Sequence, residues 1–175
     1  MVAEGEIRLL VLDVDGVLTD GALLFDEDGR QLRRFHIRDG LAIGLWQAVG
    51  RKAALLTSKR SQAVQARAKM MRIDLIEQGA EDKRPGLERI LAAADATAQQ
   101  TAYIGDDLID CAVMRQVGYP IAVADAVDEI KQIARYVTSR PGGHAAVREA
   151  VEHLLKKDGL WPEALRAIGA DQTGR

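Results

Sequence analysis

The chain has 175 residues, of which 47% are hydrophobic, and these values suit one globular domain, 1-175, with a substantial core. A formal net charge of -2 argues against nucleic-acid binding, and no apolar run reaches the roughly 20 residues of a membrane span. Cys111 is the single cysteine, which fits a reducing compartment, and the acidic N-terminal residues do not resemble a signal peptide. We therefore expect a cytoplasmic protein whose partner is a small molecule, with neither nucleic acid nor membrane as a partner.

The first predicted element is a buried strand, Leu9 to Leu12, which runs directly into Asp13 and Asp15. Its apolar residues fall on both alternating faces, as in a parallel strand that helices cover on both sides. Ligands of open α/β sheets bind beyond the carboxyl ends of the strands, so both aspartates are expected to project into a site. On the local pattern alone, a solvated acidic turn explains these residues equally well.

A β-hairpin is predicted next, over about residues 21-37. Two segments with apolar side chains flank the turn-forming sequence Asp26-Glu27-Asp28-Gly29. An isolated hairpin is only marginally stable in water, and little of the neighbouring chain can cover its apolar residues. Self-association through the hairpin is therefore expected, and packing of the hairpin on its own domain is the alternative.

Strands and helices are predicted to alternate along the rest of the chain. The strands fall at 53-56, 74-77, 101-104, 119-123 and 136-138, and the helices at 40-49, 61-71, 84-94, 127-133 and 141-155, with a further helical segment through 113-114. Asp39 is placed to cap the first of these helices, and Gly50 to end it. The tail, about 159-175, carries an exposed Trp161 and then becomes small and polar.

Polar side chains again follow two of the later strands. Thr57, Ser58 and Lys59 come after the strand at 53-56, and the strand at 101-104 is followed by three carboxylates, those of Asp106, Asp107 and Asp110. Three carboxylates so close together repel one another unless a cation neutralises them, although one of them could cap a helix.

Lys83 precedes the helix that contains Pro85 in its first turn. A lysine at a helix N-terminus gains nothing from the helix dipole, so a bound anion there is a reasonable inference. A solvated surface lysine is the alternative, and the local pattern favours it.

Strand and helix alternation predicts a Rossmann-like, doubly wound parallel sheet of the α/β class, with right-handed crossovers. The strand ends of one polarity then share an edge, where seven side chains would converge: Asp13, Asp15, Thr57, Lys83, Asp106, Asp107 and Asp110. Carboxylates without His or Cys suit Mg²⁺, and the three histidines lack metal-ligand spacing. An aspartate can attack phosphorus while a second carboxyl protonates the leaving alcohol and then activates water. The predicted chemistry is phosphoryl transfer.

Four segments in this order resemble the motifs of the haloacid dehalogenase (HAD) superfamily of phosphatases. They are Asp13-Val14-Asp15-Gly16-Val17, Thr57, Lys83 and Gly105-Asp106-Asp107-Leu108-Ile109-Asp110. The resemblance implies that Asp13 is the nucleophile, that Asp15 is the general acid and base, and that Thr57 and Lys83 hold the phosphate. It also implies a Mg²⁺ ion on Asp13, the carbonyl of Asp15 and Asp106. Asp107 and Asp110 would then support the ion indirectly or through water.

Too few residues separate these motifs to build a cap domain, so only the hairpin would act as a flap. This resembles the capless branch that includes the phosphatases of 3-deoxy-D-manno-octulosonate 8-phosphate (KDO 8-phosphate), homotetramers in which a neighbouring subunit helps to close the site. The resemblance implies a phosphorylated 2-keto sugar acid as substrate, and it implies substrate contacts from His36, Arg38, Asp39, Gly40, Ser58, Lys59 and Arg67.

The chain departs from that branch at substrate-facing positions, which are His36, Gly44, Ser58, Lys59 and His144. The motifs themselves are intact, so the departures bear on the substrate and not on the chemistry. A nonulosonate 9-phosphate or another small phosphoester stays open as substrate, although Lys59 favours the octulosonate. A non-catalytic partner domain of a cytidylyltransferase is the alternative of another class.

Overall fold

The computed structural model describes residues 5-79 and 81-171, and eight strands and seven α-helices lie within them. The strands are β1 (Leu9–Leu12), β2 (Leu24–Phe25), β3 (Gln31–Leu32), β4 (Lys52–Thr57), β5 (Leu75–Gln78), β6 (Thr101–Gly105), β7 (Tyr119–Ala122) and β8 (Tyr136–Val137). The helices are α1 (Ile37–Ala48), α2 (Gln62–Met70), α3 (Arg84–Ala94), α4 (Cys111–Met114), α5 (Asp128–Ile133), α6 (Ala146–Lys157) and α7 (Trp161–Ala167). The predicted order of elements is confirmed.

Six strands form one parallel sheet in the order β5-β4-β1-β6-β7-β8. The chain winds outward from β1 through β4 to β5, then crosses to the other side of β1 and continues through β6, β7 and β8. Because such crossovers are right-handed, α1 and α2 cover one face and α3, α4 and α5 cover the other. The fold is therefore the doubly wound α/β sheet that the sequence predicts.

The winding direction reverses at β1, which lies between β4 and β6. In open α/β sheets, a crevice forms beyond the strand ends at this kind of switch point. All four residues of β1 are fully buried because helices cover both faces of the sheet. Asp13 follows this strand directly, so the backbone brings a carboxylate from the core to the crevice.

The hairpin prediction is confirmed, although its strands are only two residues long. Strands β2 and β3 pair antiparallel, apart from the main sheet, around a turn in which Asp26 accepts the backbone N–H of Arg30 at 2.7 Å. Gly29, with a φ of +76°, allows the reversal. Between β1 and α1 the described chain contains only this hairpin, so no cap domain is inserted there.

Three details of the prediction are wrong. The last main helix, α6, begins at Ala146 and not at residue 141, because residues 142-145 form turns. The helix α1 begins at Ile37, not at residue 40, because His36 is its N-cap and Asp39 lies inside its first turn. The tail is helical from Trp161 to Ala167, and Trp161 is partly buried against the core, with Arg148 and Lys156 over its ring. Residues 172-175 of the predicted tail lie outside the described residues. In the described part of the chain, no helix has the length and apolar character needed to cross a membrane.

Candidate active site

Residues from three adjacent strands meet at the carboxyl edge of the sheet. Asp13 follows β1, Thr57 ends β4, and Asp106 follows β6. The backbone N–H of Asp13 donates to the carbonyl of Ile104 at 3.0 Å, so the hydrogen-bond ladder of the sheet extends to Asp13. Asp13 and Thr57 are both buried. The structure thus brings these predicted site residues to one edge, as the strand order requires.

Lys83 reaches this edge from the N-cap position of α3. Its ammonium lies 2.8 Å from Asp13 Oδ1 and 2.7 Å from Asp110 Oδ1, and its side chain is fully buried. Burial alone would lower the pKa of Lys83, but the charges of Asp13 and Asp110 raise it above its ordinary value. The anions that hold Lys83 here are therefore carboxylates, and the solvated-surface interpretation is wrong.

Asp110 is the structural anchor of the cluster. Its Oδ1 accepts from Lys83 and from the Tyr103 hydroxyl, the latter at 2.6 Å. Its Oδ2 accepts the backbone N–H groups of Asp106 at 3.0 Å and Asp107 at 3.4 Å. Both oxygens are thus occupied by the protein itself. Asp107 is exposed and caps the short helical turn that follows, accepting from the Leu108 N–H at 2.7 Å.

Asp106 differs from its neighbours because its Oδ1 is buried and has no hydrogen-bond partner among the described residues. Asp13, Asp106 and Asp110 each offer an oxygen, and these oxygens lie within 4.8 Å of one another. Oxygen-only donors with one unsatisfied buried carboxylate fit a hard divalent cation such as Mg²⁺. Since Asp110 is already saturated, Asp13 and Asp106 are the side chains with capacity left for an ion.

The raised pKa values of the cluster also favour the binding of a cation. Burial, together with the charges of Asp13 and Asp110, raises the pKa of Asp106 to about 8. Burial also raises the pKa of Asp13 to about 7, although the neighbouring Lys83 acts in the opposite direction. A divalent cation held by the buried Asp13 and the half-buried Asp106 would favour the ionised form of both carboxylates. The site is therefore built for a positive charge.

Gly16 brings the loop after β1 close to Asp106. It has a φ of +89°, and a Cβ at this position would overlap the Asp106 carboxylate. Gly142 and Gly143 pack against the same loop. The Gly143 N–H donates to the carbonyl of Val17 at 3.0 Å, and a Cβ at Gly142 would overlap the carbonyl of Gly16. The glycine pair is therefore a brace for the site, and His144 beside it is exposed.

Among the described residues, the Asp15 side chain makes no hydrogen bond to the carboxylate cluster. It is held by Arg33 instead. The Arg33 Nε lies 2.9 Å from Asp15 Oδ1 and its Nη2 lies 3.3 Å from Asp15 Oδ2. Arg33 belongs to the segment between β3 and α1, so the hairpin region contributes to the site. Sequence reasoning missed Arg33, since no local pattern distinguishes it from Arg34.

Four of the predicted substrate contacts, His36, Asp39 and Gly40 at the start of α1 and Arg67 on α2, have structural roles. His36 Nδ1 accepts the N–H of Arg38, and the His36 carbonyl accepts from Arg67 Nη2 at 3.0 Å. A Cβ at Gly40 would press against the Arg67 guanidinium, so the glycine makes room for it. Asp39 accepts the N–H of Arg148 at 2.8 Å and thereby ties α1 to α6.

Asp39 is fully buried, and burial raises its pKa to about 6. Its predicted role in direct substrate contact is therefore corrected: this carboxylate lies inside the α1–α6 interface and is closed to a ligand.

The remaining predicted substrate contacts lie at the surface. Ser58 is half-buried and Lys59 is exposed in the loop after β4, where the Lys59 N–H donates to Thr57 Oγ1 at 3.3 Å. Arg38 lines a separate groove of about 650 Å³ along α1 and α6, with Arg140, Arg148 and other residues. Asp13, Asp106 and Lys83 do not line that groove, so it is separate from the carboxylate cluster.

Comparisons with known proteins agree with this geometry. The family described as haloacid dehalogenase-like hydrolase matches residues 52–169. The KDO 8-phosphate phosphatase KdsC of Yersinia pestis is 41% identical over 149 residues, which are 85% of this chain and 80% of that protein. The Escherichia coli (strain K12) protein of the same name is 38% identical over 165 residues, 94% of this chain and 88% of that one.

A solved structure shows the same fold with ligands. The crystal structure of KDO 8-phosphate phosphatase from Moraxella catarrhalis, in complex with a magnesium ion, a phosphate ion and KDO, has a TM-score of 0.87. It is 33% identical to this chain, and the match covers 93% of each. The likeness of fold thus extends over nearly the whole chain.

Proposed function

Because the chain belongs to the haloacid dehalogenase-like hydrolase family, we propose that it is a Mg²⁺-dependent phosphomonoesterase that hydrolyses KDO 8-phosphate to KDO and phosphate. The observation that carries the proposal is the cluster of Asp13, Asp106 and Lys83, in which one buried Asp106 oxygen has no partner among the described residues. Relatives named for this reaction share 38% to 41% of their residues with the chain.

In this proposal Asp13 is the nucleophile. A carboxylate oxygen of Asp13 attacks phosphorus, the bond from phosphorus to the sugar oxygen breaks, and Asp15 gives its proton to that oxygen. Asp15 then takes a proton from water as the water oxygen attacks the aspartyl phosphate, which regenerates Asp13 and releases phosphate. Lys83 and Thr57 are assigned to the phosphoryl oxygens. Lys83 is already beside Asp13, so it can neutralise charge without moving far.

The carboxylates of Asp13 and Asp106, with the carbonyl of Asp15, are the assigned ligands of the Mg²⁺ ion. The bound ion supplies charge neutralisation for the phosphate and for the carboxylates themselves. Asp110 and Asp107 are not assigned as ligands of the ion. Asp110 orients Lys83 and the backbone of Asp106, and Asp107 caps the short helical turn that begins at Leu108.

The exposed Lys59 and the half-buried Ser58 are assigned to the sugar acid. Lys59 is a point charge that attracts a carboxylate without the two-pronged grip of an arginine. Arg38, Arg67 and the backbone at His36 and Gly40 are assigned a supporting role at the rim, where Arg67 already organises the start of α1.

The experiment is a comparison of kcat/KM across KDO 8-phosphate, a nonulosonate 9-phosphate and simple sugar phosphates, with and without Mg²⁺. We expect the highest value for KDO 8-phosphate, and loss of turnover in Asp13→Asn. The exposed Asp74→Asn is the matched control and is expected to behave as the parent. A preference for the nonulosonate ester would change the substrate, and Mg²⁺ binding without turnover of any ester would contradict the phosphatase itself.

We further propose that the protein forms a homotetramer through its hairpins. Leu23 is 69% exposed and Phe25 is 61% exposed, and Leu24 and Leu32 lie beside them on a sheet of only two strands. Burying these side chains between subunits would stabilise a hairpin that is marginal alone. Light scattering at micromolar concentration should give four chains per particle, and Phe25→Ser should lower that number; a monomeric parent would contradict the proposal.

We propose that the chain works as one catalytic domain in the cytoplasm, since Cys111 is a free thiol and such cysteines suit a reducing compartment. Cell fractionation with an antibody against the chain tests the location.

A further inference from the structure

Arg33 is an unusual residue for its place in the chain. The hairpin around it is mostly exposed, but the Arg33 side chain is only 4% exposed. Its three terminal groups all have partners: Nε and Nη2 donate to the two oxygens of Asp15, and Nη1 donates to Ser61 Oγ at 2.8 Å. Ser61 is the N-cap of α2, so Arg33 connects the flap, the loop after β1 and the helix after β4.

The arrangement restricts Asp15 in a way that the other acids of the site do not share. A guanidinium that contacts both oxygens of a carboxylate fixes the plane of that carboxylate as well as its distance. Asp15 is 36% exposed at its side chain and has no other described side-chain partner, so this contact sets its orientation. A buried guanidinium is costly unless its nitrogens have partners, and here Nη1, the nitrogen that Asp15 does not contact, donates to Ser61.

We propose that Arg33 is a positioning residue that holds Asp15 in the orientation needed for proton transfer, and that the hairpin region thereby contributes to the reaction. This inference rests on the proposed function, in which Asp15 gives a proton to the leaving oxygen and later takes one from water. Arg33 transfers no proton itself. Its role is to limit the rotation of the Asp15 carboxyl group, which lowers the entropic cost of reaching the orientation for proton transfer.

The dependence of the rate on the leaving group tests this role. The alkoxide leaving group of a sugar phosphate needs a proton as it departs, whereas p-nitrophenolate departs readily without one. Because kcat/KM reports the steps up to departure of the leaving group, misplacement of the acid lowers it for the sugar ester far more than for the aryl ester. A general loss of fold or of metal would lower kcat/KM equally for the sugar ester and the aryl ester.

The expected result for Arg33→Met is a fall of about 10- to 100-fold in kcat/KM for KDO 8-phosphate, within the range that general acid catalysis contributes. For p-nitrophenyl phosphate we expect a fall of no more than about threefold, on the same reasoning. Arg33→Lys keeps the positive charge but cannot contact both Asp15 oxygens in the same two-pronged way. Its kcat/KM for KDO 8-phosphate should therefore fall between the values of Arg33→Met and the parent. Arg30→Met, at an exposed position of the same hairpin, is the matched control and should match the parent.

The outcomes separate this inference from the proposed function. Equal losses on the two esters, or no loss in Arg33→Met and Arg33→Lys, would overturn the positioning role while the phosphatase stands. If Arg33→Met does not fold, the ratio of the two esters in Arg33→Lys decides alone. If the parent hydrolyses ribose 5-phosphate instead of KDO 8-phosphate, that ester replaces it in the comparison. A parent that hydrolyses no phosphoester would overturn both.

Discussion

The ammonium of Lys83 lies 2.7 Å from Asp110 Oδ1, and both side chains are fully buried. The pair connects the N-terminus of α3 to the turn after β6, and the same ammonium lies 2.8 Å from Asp13 Oδ1. Because Tyr103 and two backbone N–H groups share Asp110, this carboxylate is held from four directions. The consequence is a lysine whose position relative to Asp13 is set before any substrate arrives.

Lys83→Met should therefore harm both stability and activity. The substitution leaves the buried Asp110 without its cation, and breaking a buried pair in this way costs about 3 to 5 kcal/mol. Urea unfolding should show this loss, and phosphatase activity should vanish. Lys69→Met, at an exposed position of α2, is the control and should change neither. A loss below about 1 kcal/mol would contradict the anchoring role.

Mg²⁺ should stabilise the protein more at alkaline than at acidic pH. The pKa values of Asp13 and Asp106, about 7 and about 8, lie above those of the unfolded chain, so the folded protein holds protons that the unfolded chain releases. Stability of the metal-free protein should thus fall as pH rises through these values. Added Mg²⁺ should raise the melting temperature more at about pH 8.5 than at about pH 6, where protons compete with it.

Calorimetry in two buffers should also detect proton release on Mg²⁺ binding. Asp106→Asn is expected to lose most of the Mg²⁺ effect. A stabilisation that does not change with pH would contradict the assignment of these carboxylates.

Asp39 should give the fold a separate pH dependence. Burial raises its pKa to about 6 despite the nearby His36, Arg67 and Arg140, so the folded state favours the protonated carboxyl. Stability should be greatest below the unfolded pKa of about 4 and should fall by on the order of 3 kcal/mol as pH rises through about 6.

Asp39→Asn keeps an oxygen for the Arg148 N–H and cannot ionise, so this part of the pH dependence should disappear. Unfolding measured between about pH 4 and pH 6.5 in the presence of Mg²⁺ checks it. The exposed Asp74→Asn should retain the dependence of the parent, and an unchanged slope in Asp39→Asn would contradict the interpretation.

Gly16→Ala should disrupt metal binding without removing any ligand. The position has a φ of +89°, and the added methyl group would displace the Asp106 carboxylate. We expect the Mg²⁺ affinity to fall by at least about tenfold, the effect typical of groups that orient metal ligands. Gly44→Ala is the control: no atom lies near its Cβ position in α1, so it should stabilise the helix by about 0.5 to 1 kcal/mol. Equal Mg²⁺ affinity in Gly16→Ala and the parent would contradict the account of this loop.

Much of the fold was predictable because its signals are local. The apolar run before Asp13, the turn at Gly29 and the proline of α3 each identify an element from a few adjacent residues. The meeting of Asp13 with Asp106 also follows, since strand ends of one polarity share an edge. In contrast, the hydrogen bonds that decide what a side chain does join distant residues.

Arg33 and Asp15 are 18 residues apart, and Asp39 meets a backbone N–H that lies 109 residues further along. Asp39 has the residue type of a helix cap, but His36 takes that position on α1, and Asp39 caps the first turn of α6 instead. Trp161 was expected to be exposed in a tail that becomes small and polar, whereas α6 provides the surface that covers it. Pairings of this kind depend on the folded topology, so the local sequence pattern does not predict them.

Acid quenching of the enzyme during turnover of KDO 8-phosphate with Mg²⁺, followed by mass spectrometry of the peptide that contains Asp13, tests the central claim most directly. The account predicts a phosphoryl group on Asp13, its absence without Mg²⁺, and its absence in Asp13→Asn. Turnover at the parental rate in Asp13→Asn, or a phosphoryl group found on a different residue, would contradict it.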